Sequence, residues 1–196
     1  MDIMQEQRPK PWIPNSPVSL GASAYHEAVV DAEYYVEVLK DYVRIAKENI
    51  KENEIVVEFG AGTGVSALHL LRNIKVNFQL WLVDNSAAWL GKAYSVFKNN
   101  PQVQCYLLER IQDRYASLSE TIGKGVADKV FSANTVHLIP DIDAVFHGIQ
   151  ESLKPGGIFA FESGNIDRKD RKEGVLLVDD TVARVHDIAL DIVQKD

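Results

Sequence analysis

One cysteine, Cys105, among 196 residues excludes an internal disulfide and any metal site built on a cysteine cluster, and no metal is expected. That scarcity agrees with a reducing compartment. No run approaches the roughly 18 consecutive apolar residues of a membrane span, and residues 1–10 lack the apolar segment of a secretory signal. The expectation is a cytoplasmic protein with no membrane partner. Basic residues are outnumbered, 21 Lys and Arg against 28 Asp and Glu, giving a formal net charge of −7. Phosphate neutralisation needs clustered Lys and Arg, and no such cluster is visible, so nucleic acid is not an expected partner. Internal repeats and low-complexity tracts are also missing.

The remaining composition is ordinary for a globular domain, with 46% hydrophobic and 25% charged residues. A chain of this length buries roughly 70% of its unfolded surface and forms one domain or most of one. Pro9, Pro11, Pro14 and Pro17 fix φ and remove backbone donors, so residues 8–19 should be extended, with Trp12 and Ile13 pinning them down. From Ser23 the apolar residues Val29, Ala32, Val36, Leu39, Val43 and Ala46 recur at steps of three and four, with Tyr35, Val38, Tyr42 and Ile45 beside them. That spacing predicts one long helix with a wide buried face. The expected division is an extended segment over 1–22, a helical lid region over 23–54 and a core over 55–196.

Strand and helix patterns then alternate. Strands are expected at 55–59, 79–84, 103–107, 129–133 and 157–162, and helices at 64–73, 86–99, 112–122 and 142–153. Alternation of this kind is the mark of an α/β fold, a doubly wound and mainly parallel sheet with helices on both faces. The mixed-charge run 167–173 reads as a solvated loop. Val182, Val185, Ala189, Ile192 and Val193 give a last amphipathic helix.

The strongest chemical signal is Glu58-Phe59-Gly60-Ala61-Gly62-Thr63-Gly64. Glycines at alternate positions after a strand and before a helix let the backbone turn sharply and approach a ligand with no Cβ in the way. Val65 stands where the dinucleotide fingerprint needs Gly or Ala, and no Gly-Lys-Ser/Thr follows, so neither a pyrophosphate loop nor a phosphate loop is present.

This motif resembles the first motif of the class I S-adenosylmethionine-dependent methyltransferases, in their small-molecule branch, and the resemblance extends over residues 55–162. Asp84, 24 positions after Gly60, ends the second strand where that family has an acid bridging the ribose hydroxyls, followed by Asn85. Capping of the next helix is the alternative role for Asp84. Glu109 and Arg110 stand where an acid and a following residue meet the adenine. Residues 132–141, containing Asn134 and His137, resemble the segment that runs under the methionine moiety. Lys154-Pro155-Gly156-Gly157 resembles the turn before the fifth strand, and it is given no chemical role.

The resemblance implies S-adenosyl-L-methionine as cofactor and S-adenosyl-L-homocysteine as product, held by Glu58, Gly60, Ala61, Gly62, Gly64, Asp84, Asn85, Glu109, Arg110 and Asn134. Glu58 either orients the glycine loop or reaches the ligand's amino group. His137 is the candidate general base, with local packing as its other role, and Glu162 is a candidate acceptor contact at the end of the fifth strand. Tyr25, His26, Tyr34 and Tyr35 are candidates for a lid over the acceptor. His69 and His147 read as structural or solvated.

The expected activity is methyl transfer to an oxygen, nitrogen or carbon nucleophile of a small molecule. Nucleic-acid amino-methylating relatives carry an Asp/Asn-Pro-Pro-aromatic tetrad after the fourth strand, which Ser132-Ala133-Asn134-Thr135 lacks. Five strands are counted where the family has seven. The last two are expected to be missing through truncation or excision, with a longer chain or a second subunit as other ways to cover the open sheet edge. The alternative function is a cofactor-binding module without activity of its own.

Overall fold

The computed structural model describes residues 9–163 of the chain. Five strands, β1 (Ile55–Phe59), β2 (Gln79–Asp84), β3 (Val103–Leu107), β6 (Ala127–Ala133) and β7 (Leu153–Glu162), form one parallel sheet in the order β3-β2-β1-β6-β7. The order reverses direction between β1 and β6, which is where open α/β sheets bind ligands at the carboxyl ends of their strands. Short strands β4 (Arg110–Ile111) and β5 (Arg114–Tyr115) make a separate antiparallel hairpin.

The central strands β1, β2 and β6 are buried along nearly their whole length because both faces of the sheet are covered there. On one face Val56, Leu80, Leu82 and Phe131 pack with α2 (Glu33–Asn49), α3 (Val65–Asn73) and α4 (Ala87–Phe97). On the other face Val57, Trp81, Val83 and Val130 pack with α5 (Leu118–Ile122) and α6 (Ile142–Ser152). This is the doubly wound α/β arrangement that the alternating pattern predicts.

Four expectations need correction. The single N-terminal helix is two, α1 (Leu20–Val29) and α2, with Ala32 extended at φ −68°, ψ 126° between them. The break is held by tertiary contacts: His69 Nε2 lies 3.1 Å from the Val30 carbonyl and Arg72 pairs with Asp31 at 3.2 Å. Ile13 is 66% exposed and anchors nothing, whereas Trp12 donates its backbone N–H to the Cys105 carbonyl at 2.7 Å and packs against the core. The helix expected over 112–122 shrinks to α5, because Gln112 sits at φ 54° in the hairpin turn and Ser117 starts α5 with a reciprocal capping box to Glu120.

The fifth strand starts at Leu153, and its register to β6 slips between Ala127 and Lys129. The slip accommodates the Lys-Pro-Gly-Gly turn. Gly156 there has φ 79°, and Lys154 closes it by pairing with Asp128 at 2.7 Å. The run 167–173 and the helix expected over residues 182–193 fall outside the described residues.

Candidate active site

The three glycines after β1 have different local duties. All have positive φ, 72° at Gly60, 54° at Gly62 and 80° at Gly64. A Cβ on Gly60 would stand 2.7 Å from Thr135 Cβ and closer still to that side chain's Cγ2 and Oγ1. A Cβ on Gly64 would stand 2.7 Å from the Phe97 ring. These two glycines therefore serve close packing between loop and neighbours. Gly62 meets only the Trp89 ring at 3.6 Å, so its missing side chain leaves room for something else.

Asp84, at the end of β2, faces that space. One carboxylate oxygen accepts the Gly62 N–H at 2.8 Å and the other accepts the Ser86 N–H at 2.7 Å. The Asn85 backbone also donates to this carboxylate, which keeps acceptor capacity for a ligand hydroxyl. Burial raises the Asp84 carboxyl above its ordinary value, and the backbone donors oppose that shift. Ser86, not Asp84, caps α4, through its contact with the Trp89 N–H.

Behind the loop lies Glu58, fully buried at the end of β1. Ser66 Oγ donates to its Oε1, while Oε2 has no hydrogen-bond partner. Burial pushes the Glu58 carboxyl up to about 8, with the Ser66 contact opposing and the Asp84 charge adding.

Over the loop sits α1. His26 is buried, and its Nδ1 lies 3.1 Å from the Thr63 carbonyl. Burial and then the Lys92 charge hold its imidazole below the ordinary range. The Tyr25 ring packs on Trp89 at 4.7 Å between centroids. Tyr35, from α2, is pushed above its ordinary value by burial and then by its neighbour Tyr25, against the opposing contact from the Asn134 side chain. Asn134 follows β6 in the left-handed region at φ 53°, a strained conformation of the kind found at functional sites, and its N–H donates to the Glu162 carbonyl at 2.9 Å.

A cavity of about 1150 Å³ joins these parts at the carboxyl edge of the sheet. Gly60, Ala61, Gly62, Asp84, Asn85, Asn134, His137, Tyr25 and Tyr35 line it. Several expected residues lie elsewhere. Gly64 is packed under α4 and Glu58 is behind the loop. Tyr34 is 64% exposed, and His26 faces the loop and not the cavity. Glu109 and Arg110 are exposed, and the hairpin turns the chain so that Asp113, Arg114 and Ala116 to Ser119 reach the wall instead. The capping-box spacing Ser117-x-x-Glu120 was the available signal for that segment. Burial raises the Glu162 carboxyl above its ordinary value, opposed first by the Asn134 backbone donor and then by nearby His137.

A family model described as a methyltransferase domain matches residues 56–157, just over half of the chain. The chain belongs to the class I S-adenosylmethionine-dependent methyltransferases. Among curated proteins none matches. Solved structures similar to this methyltransferase domain include a methyltransferase of the same cofactor class from Aquifex aeolicus, 15% identical with TM-score 0.57, covering 85% of this chain and 86% of that one. A candidate enzyme of this class from Methanococcus maripaludis is 17% identical with TM-score 0.57, covering 78% and 68%. Phosphoethanolamine N-methyltransferase 2 from Haemonchus contortus, in complex with phosphomonomethylethanolamine and S-adenosylhomocysteine, is 21% identical with TM-score 0.56. The match covers 72% of this chain and 32% of the Haemonchus protein. At these identities the likeness is one of fold.

The residues of this methyltransferase domain fit S-adenosylmethionine. Gly62 leaves the cradle open, Asp84 sets a carboxylate on the cavity wall of the kind that accepts from ribose hydroxyls, and Leu108, Ala116 and Leu118 form an apolar stretch of the wall of the kind that suits a base. No group of metal-ligating side chains occurs among the described residues.

Proposed function

We propose that this chain transfers the sulfonium methyl group of S-adenosylmethionine to an oxygen, nitrogen or carbon nucleophile of a small molecule by direct displacement. The carrying observation is the cavity. At about 1150 Å³ it exceeds the roughly 300–1,000 Å³ of ordinary ligand pockets, and it continues from the glycine loop past His137 to Asp141 and Val145. That extent leaves space for an acceptor beside the cofactor.

When bound, the cofactor supplies an activated methyl group that already carries positive charge. The protein's share is alignment and exclusion of water. Gly62 permits close backbone approach, Asp84 holds the ribose, and Tyr25 and Tyr35 close the space from above. Asn134 presents its amide at the same corner. His137 takes the acceptor proton where the nucleophile must lose one, a contribution of about 10²- to 10⁴-fold.

Calorimetric titration with S-adenosylhomocysteine tests this without knowledge of the acceptor. One site of micromolar-range affinity supports the assignment, and a folded chain that binds nothing refutes it. A second function, cofactor binding without turnover, is favoured by the 32% share of the Haemonchus enzyme that this chain spans. Product binding with no methyl transfer across oxygen, nitrogen and carbon acceptors would select it.

A further inference from the structure

Glu58 is fully buried, and the only donor to its carboxyl group among the described residues is the Ser66 hydroxyl. The groups facing it are Ser66 from α3, Tyr42 and Tyr35 from α2 and Asp84 from β2, with Tyr25 of α1 reached through Tyr35. Its register partners Leu82 on β2 and Phe131 on β6 are apolar. None of these is a cation. Tyr42, itself buried with an unpartnered hydroxyl, makes no hydrogen bond to the free Oε2. A carboxylate enclosed with one hydrogen bond and no counter-charge is costly, and such a group keeps its proton instead.

The coupling to Asp84 gives this proton a use. Asp84 lies on the cavity wall, and its negative charge adds to Glu58's hold on the proton. Charge in the cavity is therefore felt behind the loop, and a positive charge there acts with the opposite sign.

We propose that Glu58 is a specificity-determining residue of the cofactor site: neutral in the ligand-free protein, it releases its proton to solvent more fully when the cavity holds the sulfonium than when it holds the thioether, and so favours the cofactor over the product. This rests on the S-adenosylmethionine assignment above. The two ligands share their amino-acid and nucleoside parts and differ at the reacting sulfur, in one methyl group and one positive charge, so comparing them isolates the effect of that charge. It would help exchange spent product for fresh cofactor.

The test counts protons by calorimetry of the full chain, with S-adenosylmethionine and S-adenosylhomocysteine titrated at pH 7.5 in buffers of different ionisation enthalpy. The expected result is more proton release with S-adenosylmethionine. The ratio of product Kd to cofactor Kd should also rise about two- to threefold from pH 6.5 to 8.5. In Glu58→Gln that rise should shrink to what the ligands' own ammonium groups contribute. The ligand's own ammonium titrates in both proteins, so the difference between them reports Glu58. Ser66→Ala removes the donor that favours the charged carboxylate and should move the wild-type pH transition upward. If Glu58→Gln does not fold, Ser66→Ala decides the matter, because the ligand's ammonium is the same in that variant and only a transition belonging to Glu58 moves. Equal proton release with the two ligands, or an unchanged pH dependence in a folded Glu58→Gln, overturns the proposal. Failure to bind either ligand would instead overturn the cofactor assignment itself.

Discussion

Replacing Gly60 with alanine tests whether the loop is shaped by its neighbour Thr135. Two costs add. Gly60 has φ 72°, and an L side chain in the left-handed region costs about 1–2 kcal/mol. The new methyl would also stand 2.7 Å from Thr135 Cβ, and a wedge of that kind in a packed site costs about 1–3 kcal/mol. Gly60→Ala should therefore lose about 2–5 kcal/mol of unfolding free energy, measured in urea through fluorescence of the buried Trp81. Thr135→Gly by itself forfeits the hydroxyl's contacts to the Gly60 and Ala133 carbonyls, at 3.0 and 3.1 Å, for about 1–2 kcal/mol. Combined in one protein, the two changes should recover the wedge term, a favourable coupling of about 1–3 kcal/mol. Gly62→Ala has no such neighbour, so it should lose only the conformational part while abolishing product binding. A coupling below about 0.5 kcal/mol would show that Thr135 yields to a methyl group and would refute the steric account.

Asp84→Ala should weaken S-adenosylhomocysteine binding by about 1–3 kcal/mol, the scale for losing hydrogen bonds to a charged group, and unchanged affinity in a folded variant would sink the ribose assignment. Glu58 has a folded value of about 8 against an ordinary 4.5, so its contribution to stability is complete below the lower value and lost as pH rises through the upper one. Glu58→Gln should consequently be more stable than wild type at pH 8.5 by about 2–4 kcal/mol in denaturant titrations, and equal or lower stability contradicts a protonated buried acid. His26 is shifted the other way, below 6.5. The unfolded chain then binds the proton more tightly, so stability should fall as pH drops below about 6.5, and urea midpoints of His26→Gln should show a shallower fall.

Strand positions were legible because apolar and β-branched runs are sandwiched between turn residues. The bounds of β1, β2 and β3 agree residue for residue with those read from sequence. The break between α1 and α2 was not legible, since the apolar stripe continues through it and the cause, His69 and Arg72 reaching residues 30 and 31, lies some forty positions away. Periodicity carries no record of such contacts. The hairpin after β3 was hidden for a related reason: Gln112 adopts a positive φ that its residue type does not announce. That hairpin moves Glu109 and Arg110 off the cavity wall. The glycine loop announced itself, yet only geometry separates Gly62, which fronts the cavity, from Gly60 and Gly64, which make way for Thr135 and Phe97. Gly148 passed without notice in the sequence, although a Cβ there would stand 2.9 Å from Ser117 Cβ and part α6 from α5.

The single backbone bond from Trp12 to Cys105 has a consequence for self-association. A bare β3 flank would invite any extended peptide to add itself as a further strand, and each addition would offer a fresh flank to the next. The chain occupies this flank with its own Pro-rich segment, in which Pro9, Pro11, Pro14 and Pro17 have no N–H to give. The segment therefore docks but does not propagate. A strand arriving at this side of the sheet meets the Cys105 carbonyl already taken by Trp12, a residue flanked by Pro11.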